Sequence, residues 1–221
     1  MFSAVEAESL IFTLITPVRA VETVSLDSCL HRVLAVPVIS PIDFPHWDNS
    51  AMDGYAVRAS DVRSLPATLH VIEEIPAGKA PEKTVQPGQA ARILTGAMMP
   101  AGADTVVMQE NTARQADDVT ILDGADIGGT KRGPEPGKFV RQQGSYLQAG
   151  SVLLAAGRTI EPAEIAILAA AQQTQVEVFR RPRVAILSTG SELVEPDQPL
   201  GPGQIVDSNQ YALTALVAQT G

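Results

Sequence analysis

From about residue 40 to residue 150 the chain is a succession of short apolar runs divided by Gly, Pro and Asp, and no helical period crosses it. Val/Ile/Leu-rich runs bounded by turn formers read as strands. They are predicted at Tyr55 to Arg58, Thr68 to Ile75, Gln89 to Ile93, Thr105 to Gln109, Val119 to Leu122 and Phe139 to Arg141. Strands spaced in this way suit a small barrel or sandwich.

On either side of that stretch the pattern changes. Val5, Leu10, Ile11, Leu14 and Ile15 fall near helical spacing, Glu6 and Glu8 sit at the start, and Pro17 follows. A helix over Ser3 to Thr16 is expected, packing its apolar stripe on the body of the protein. Val21 to Val24 and Val33 to Ile39 read as extended, and the spaced Pro37, Pro41 and Pro45 impose a non-helical path into the β-rich stretch. Glu161-Pro162-Ala163-Glu164 opens a second helix, with Pro at its first position, and Gln175 to Phe179 is a strand.

Arg180-Arg181-Pro182-Arg183 reads as a solvated linker. After it, Val184-Ala185-Ile186-Leu187 is continuously apolar, as for a strand buried on both faces of a parallel sheet. Ser188-Thr189-Gly190 forms the polar turn at its C-terminal end, where open α/β sheets place ligands. Asp207-Ser208-Asn209 can cap a helix with the stripe Ala212, Leu213, Leu216 and Val217, and Gly221 falls where its C-cap would be. A parallel strand needs a second strand beyond the crossover helix, so this last domain is expected to continue past Gly221.

The fold class expected is therefore α+β and multidomain. A mixed α/β hinge module (1–39 with 151–180) carries an inserted all-β module (40–150), and 181–221 opens an α/β domain with a parallel sheet.

Composition narrows the function classes. With 45% hydrophobic and 19% charged residues among 221, the chain reads as globular, and 17 glycines with 16 prolines favour small, turn-rich modules. A net charge of −9 argues against a nucleic-acid partner and against an anionic membrane surface. An anionic ligand would need a cation, backbone N–H groups or a local basic cluster; Lys131, Arg132, Lys138 and Arg141 are the one cluster so placed, and they read first as a solvated loop. The single Cys29 excludes an internal disulfide, suits a reducing compartment and reads as a buried structural thiol. Ile11 to Ile15 is too short for a signal core or a membrane span, so the expected location is cytoplasmic. His31, His46 and His70 show no ligand spacing, and no glycine-rich nucleotide fingerprint follows a strand.

The chemistry concentrates in Asp48-Asn49-Ser50-Ala51-Met52-Asp53-Gly54-Tyr55-Ala56. Two carboxylates, an amide and a hydroxyl precede a glycine that permits a sharp turn, and Tyr55-Ala56-Val57 can anchor the loop as a strand. Such a loop can hold a hard cation or a polar substrate, and it can equally be a simple turn.

Taken with Arg92-Ile93-Leu94-Thr95-Gly96-Ala97, Asp104-Thr105-Val106-Val107-Met108-Gln109-Glu110 and Leu187-Ser188-Thr189-Gly190-Ser191-Glu192-Leu193, this stretch resembles the molybdopterin molybdenumtransferase family. These are the MoeA-type proteins related to the E domain of gephyrin. The resemblance implies molybdenum cofactor biosynthesis: molybdate enters adenylylated molybdopterin and AMP is released, with Mg²⁺ assisting. It further implies that 181–221 opens the molybdopterin-binding domain, that the protein is a homodimer with sites between subunits, and that a molybdopterin adenylyltransferase is a partner. By the same resemblance Asp53 and Glu192 are the catalytic and metal-binding carboxylates. Ser50, Thr95, Gly96, Thr189, Gly190, Asp207 and Ser208 are then the substrate-binding residues. The chain departs from the family where Ser145-Tyr146 and Ser191 stand in place of acidic residues. That departure keeps a second function open, a non-catalytic scaffold or pterin-binding relative.

Overall fold

The strand Gly54–Val57 is buried at all four positions because it lies inside a sheet with an apolar cluster on each face. Side chains alternate across a strand. Tyr55 and Val57 therefore join Leu69, Ala90, Val107 and Val119 on one face, while Ala56 joins Ile75, Ala91, Ile93 and Val106 on the other.

The structure is a computed structural model that describes residues 2–123, 125–127 and 130–220, the side chains of 125–127 and 130–132 excepted. The chain divides into two compact units, Met1–Val38 with Val152–Gly221, and Ile39–Ser151.

The 39–151 unit contains a six-stranded mixed sheet in the order Thr105–Met108, Gly54–Val57, Gln89–Ile93, Ala67–Ile75, Asp118–Ile121, Thr112–Gln115. Only Ala67–Ile75 and Gln89–Ile93 run parallel; every other neighbouring pair in the sheet is antiparallel. The sheet order is open, with edges at Thr105–Met108 and Thr112–Gln115, where a barrel or sandwich is expected from strand spacing. The Thr112–Gln115 edge escapes the sequence pattern because Thr-Ala-Arg-Gln carries no apolar alternation. The strand expected from Phe139 begins at Val140, since Phe139 has φ +58° and cannot extend the ladder. Val140–Arg141 pairs with Asn49–Ser50, and that ladder brings the 141–148 loop to the Asp48–Ala56 stretch.

Gly54 is dictated by packing. A Cβ there would stand 1.9 Å from the Val107 carbonyl oxygen, a backbone atom that cannot step aside.

In the other unit, Val21–Ser25 pairs antiparallel with Gln175–Phe179, placing Val24 opposite Val176. Its core is Cys29, Leu34, Leu154, Ile160, Leu168, Val176 and Val178. The helix Pro162–Ala170 starts with proline at its N-terminus, and Glu164 reaches back to the Glu161 N–H at 3.1 Å. Glu164 is buried and paired with Arg158 at 2.6 Å, which holds its carboxyl below the usual range. Arg32, also buried, donates to Glu22 and to the Phe179 carbonyl. Cys29 is fully buried, its Sγ 3.1 Å from the Leu26 carbonyl, and burial pushes its thiol pKa up.

Three expectations for this unit need correction. The helix Ala4–Leu14 forms, with Ser3 and Glu6 closing a capping box, but it buries none of its residues; Phe12 and Leu14 stay mostly exposed. A stripe makes a helix amphipathic without supplying a partner for it, and no described residue covers this one. Val33 to Ile39 is extended only in part: Val33 and Leu34 make isolated bridges to Thr159 and Val178, and the strand is confined to Val38–Ile39. The intervening Ala35-Val36-Pro37 stretch lies outside any strand, and Pro37 lacks the N–H a ladder requires. Val184 to Leu187 forms no strand, and Leu187 is 86% exposed. An apolar run becomes a buried strand only when a neighbour supplies ladder partners, and none of the described residues does so. Beyond it, Leu193–Val194 and Ile205–Val206 make a short parallel pair, and the helix Ser208–Gln219 follows with no buried residue. Gly221, expected as its C-cap, lies outside the described residues.

Two measurements test this packing. Gly54→Ala should lower the urea midpoint of the 39–151 unit by the equivalent of about 3 kcal/mol, as overpacking against backbone requires; an unchanged midpoint would remove the argument. Cys29 should resist thiol reagents in native buffer and react fully once unfolded.

Candidate functional site

The site follows from strand register. Gly54 and Ile93 are partners in an antiparallel pair, so the residue before the first and the residues after the second leave the sheet side by side. That brings Asp53 to Thr95. The Thr95 N–H and hydroxyl both donate to Asp53 Oδ1, at 2.7 and 2.8 Å.

Those bonds, the N–H first, hold the Asp53 carboxyl below its usual range, with Arg92 adding a smaller attraction. Arg92 is itself fixed. It lies 5.3 Å from the centroid of the Tyr55 ring and donates to the Gly54 carbonyl and to Gln109. Asp53 is exposed, and its Oδ2 accepts no hydrogen bond among the described residues. The carboxylate is thus anchored by one oxygen and open at the other.

Gly96 takes φ +82°, a left-handed conformation that closes the Leu94–Ala97 turn. Its N–H donates to the Ser50 carbonyl at 2.8 Å, and the Ser50 N–H donates to Ala97 at 3.0 Å, so the two loops are tied together. Ser50 is fully buried, and its hydroxyl is occupied within its own turn by Met52. Asp48 accepts from the Gln143 N–H at 2.7 Å, which pins the 141–148 loop to the same place.

The remaining candidates lie in the other unit. Thr189 and Gly190 are exposed in a loop, and the Glu192 carboxylate folds back against Gly190. Asp207 is buried and accepts from the Gln210 N–H at 3.1 Å, capping the helix of which Ser208 is the first residue. The structure therefore brings together Asp53, Thr95, Gly96 and Ser50, while Thr189, Gly190, Glu192, Asp207 and Ser208 belong to a separate unit. Of the basic cluster, the side chains of Lys131 and Arg132 lie outside the described residues, and Lys138 rests over the Phe139 ring. Arg92 is the site residue that sequence reasoning did not single out. An arginine in the otherwise small, apolar Ala90-Ala91-Arg92-Ile93 was the available signal.

Among the described residues no three His, Cys, Asp or Glu side chains converge on a metal-sized space. A single open carboxylate oxygen suits a cation that takes few protein ligands and completes its shell with water and substrate phosphate, as Mg²⁺ does. No described helix is long and apolar enough to cross a membrane.

Comparison with known proteins shows the family. A family described as "MoeA N-terminal region (domain I and II)" matches residues 2–171. A molybdopterin molybdenumtransferase of Nostoc sp. is 55% identical over 228 residues, covering all of this chain and 50% of that protein. Molybdopterin molybdenumtransferase 2 of Mycobacterium tuberculosis is 42% identical over 90% of the chain and 48% of its own length. A crystal structure of the molybdopterin biosynthesis MoeA protein from Pyrococcus horikoshii superposes with a TM-score of 0.84 at 35% identity, over 97% of this chain and 56% of that one. The chain spans about half the length of the curated relatives it matches.

The Asp53 contact has a defined pH response. Its folded pKa lies below the unfolded value, so the contact stabilises the loop above the ordinary carboxylate pKa and is lost as pH falls through the folded value. The Thr95 amide resonance should hold its position from neutral pH down to about pH 5 and shift only in acid, with a midpoint below about 3.9. A midpoint at or above that value would refute the anchoring.

Proposed function

The chain belongs to the MoeA family, and on that premise we propose that it acts as a molybdopterin molybdenumtransferase in molybdenum cofactor biosynthesis. Its substrates are adenylylated molybdopterin and molybdate, and AMP is released when molybdate enters the dithiolene.

The observation that carries this reading is the Asp53–Thr95 pair. One oxygen is held by two donors while the other stays free, which fixes a negative charge in a set direction before substrate arrives. Both substrates are anionic and the chain itself carries −9, so the site needs a positive charge that Asp53 can hold. Mg²⁺ on the free oxygen would neutralise phosphate and oxyanion charge. Glu192 is the second carboxylate proposed for the reaction, with Thr189, Gly190, Asp207 and Ser208 as substrate contacts in the separate unit, whose residues 181–221 we place at the opening of the molybdopterin-binding domain.

Exposed apolar residues on the helix Ala4–Leu14 support assembly as a homodimer. An adenylylated substrate calls for a molybdopterin adenylyltransferase to supply it, and a lone buried cysteine suits the cytoplasm. The rival reading, a pterin-binding scaffold, draws on Ser145 and Tyr146 standing where the family carries carboxylates.

One assay separates the two. The chain is mixed with adenylylated molybdopterin, molybdate and Mg²⁺, and AMP is measured. Asp53→Ala should slow AMP release about a hundredfold or more, the usual effect of deleting a preorganised electrostatic group. A rate unchanged by the substitution sinks the assignment of Asp53, and pterin binding without any AMP release favours the scaffold.

A further inference from the structure

Next to the Asp53–Thr95 contact, and inside the same unit, is an open pocket of about 320 Å³ lined by Phe44, His46, Trp47, Gly96, Arg141 and Tyr146 among others. Gly96 follows Thr95 directly, so the pocket begins one residue from the threonine that anchors the carboxylate. Its volume is at the lower end of the range for small-molecule sites.

Its composition is unusual for this chain, which has only five phenylalanines, three tyrosines and one tryptophan. Three of those rings and a histidine gather here, with Trp47 42% and Tyr146 72% exposed. Rings that large are normally spent on the core, because each buries a large apolar area. Here they face solvent while alanine and valine fill most of the sheet core.

The rings are also held in place. His46 lies 5.4 Å from Phe44 and 5.5 Å from Trp47, centroid to centroid, the latter edge-on. The Asp43 carbonyl is only an acceptor, so His46 Nδ1 carries the proton and donates to it at 2.7 Å. Phe44 and Leu147 exchange backbone hydrogen bonds, and the Tyr146 N–H donates to the Phe44 carbonyl at 2.9 Å.

The charge in the pocket is unbalanced. Arg32, Arg92, Arg114 and Arg158 each donate to a protein acceptor. Arg141 is half-buried and has no hydrogen-bonded or ionic partner among the described residues. No carboxylate lines the pocket. The two acids nearest in sequence are occupied elsewhere: Asp43 accepts from Ala149 and Gln143, and Asp48 from Gln143. An unpaired guanidinium beside aromatic faces matches a ligand that is a flat ring at one end and an anion at the other.

We propose that this pocket is a subsite for a planar heteroaromatic ring bearing a phosphate, the ring stacking on Trp47 and Tyr146 and the phosphate accepting from Arg141. The proposal rests on the preceding reading of the site as one for a phosphorylated pterin–adenine substrate, and it assigns one ring–phosphate end of that substrate to named residues. Tyr146 thereby acquires a role at a position that otherwise counts only as a missing carboxylate.

Trp47 is the sole tryptophan, so emission excited beyond the tyrosine absorption band reports on this pocket alone. Titration of the full chain with AMP and with dihydroneopterin monophosphate should quench it. Quenching by AMP assigns the adenine end, and quenching by the pterin phosphate alone assigns the pterin end. Arg141→Gln should weaken that binding about tenfold, as loss of a charge-assisted bond implies. Tyr146→Ala, at a side chain too exposed to matter for folding, should weaken it by a similar factor of about ten. Quenching by neither ligand, or affinities that both substitutions leave unchanged, would overturn the proposal. The outcome is independent of turnover: a chain that binds AMP here yet releases none from the adenylylated substrate would sink the transferase reading and leave the subsite standing.

Discussion

The absence of a side chain at Gly54 is the constraint on which the rest of the 39–151 unit depends. The strand it begins is central, flanked by Gln89–Ile93 and Thr105–Met108, and the approach to Val107 leaves no room for a Cβ. Because side chains alternate, slipping this strand by one residue would carry Tyr55 and Val57 to the wrong face and expose their partners. Two different clusters, one per face, thus enforce a single register. That register, with Gly54 opposite Ile93, delivers Asp53 to Thr95. The placement of Asp53 beside Thr95 is in this sense a by-product of core packing.

The same economy governs charge. In an acidic chain, exposed carboxylates would repel an anionic ligand unless they were engaged. Asp43, Asp48 and Asp53 are each engaged by backbone N–H groups, which neutralise part of their field without adding a cation. For Asp43 and Asp53 these bonds also hold the carboxyl below its usual range. Beside the loop cluster, Arg141 is a guanidinium with no hydrogen-bonded or ionic partner among the described residues.

How much of this was legible in the sequence depends on how local each feature is. The strand Gln175–Phe179, the proline-led helix at Pro162 and the alternating runs Gln89–Ile93 and Ala67–Ile75 have their causes within a few residues, and pattern reading finds them. The four motifs that resemble the family carried Asp53 and Thr95 together because each brings its own turn chemistry. Val184 to Leu187 failed for the opposite reason: a strand is made by its neighbour, and composition cannot say whether one is there. The helix Ala4–Leu14 shows the same division, since its capping box was written locally and its burial was not. The aromatic pocket was least legible, because Phe44 and Trp47 meet Tyr146 only after the Asn49–Ser50 and Val140–Arg141 strands pair across some ninety residues.

A carboxylate that is anchored yet exposed is a poor stabilising device. Its two hydrogen bonds are open to water, which discounts them as a source of folding energy, and the loop would close through Gly96, Ser50 and Ala97 without them. A buried, paired acid such as Glu164, held to Arg158, shows what a structural carboxylate looks like in this same chain. Asp53 differs from it in the two respects that matter for chemistry: one oxygen is free, and the other is fixed by the N–H and the hydroxyl of Thr95. Preorganisation without burial costs little in the empty state and leaves the charge available to whatever arrives. The contrast between Asp53 and Glu164, more than any single distance, is what favours the first as the proposed site residue and leaves the second to the fold.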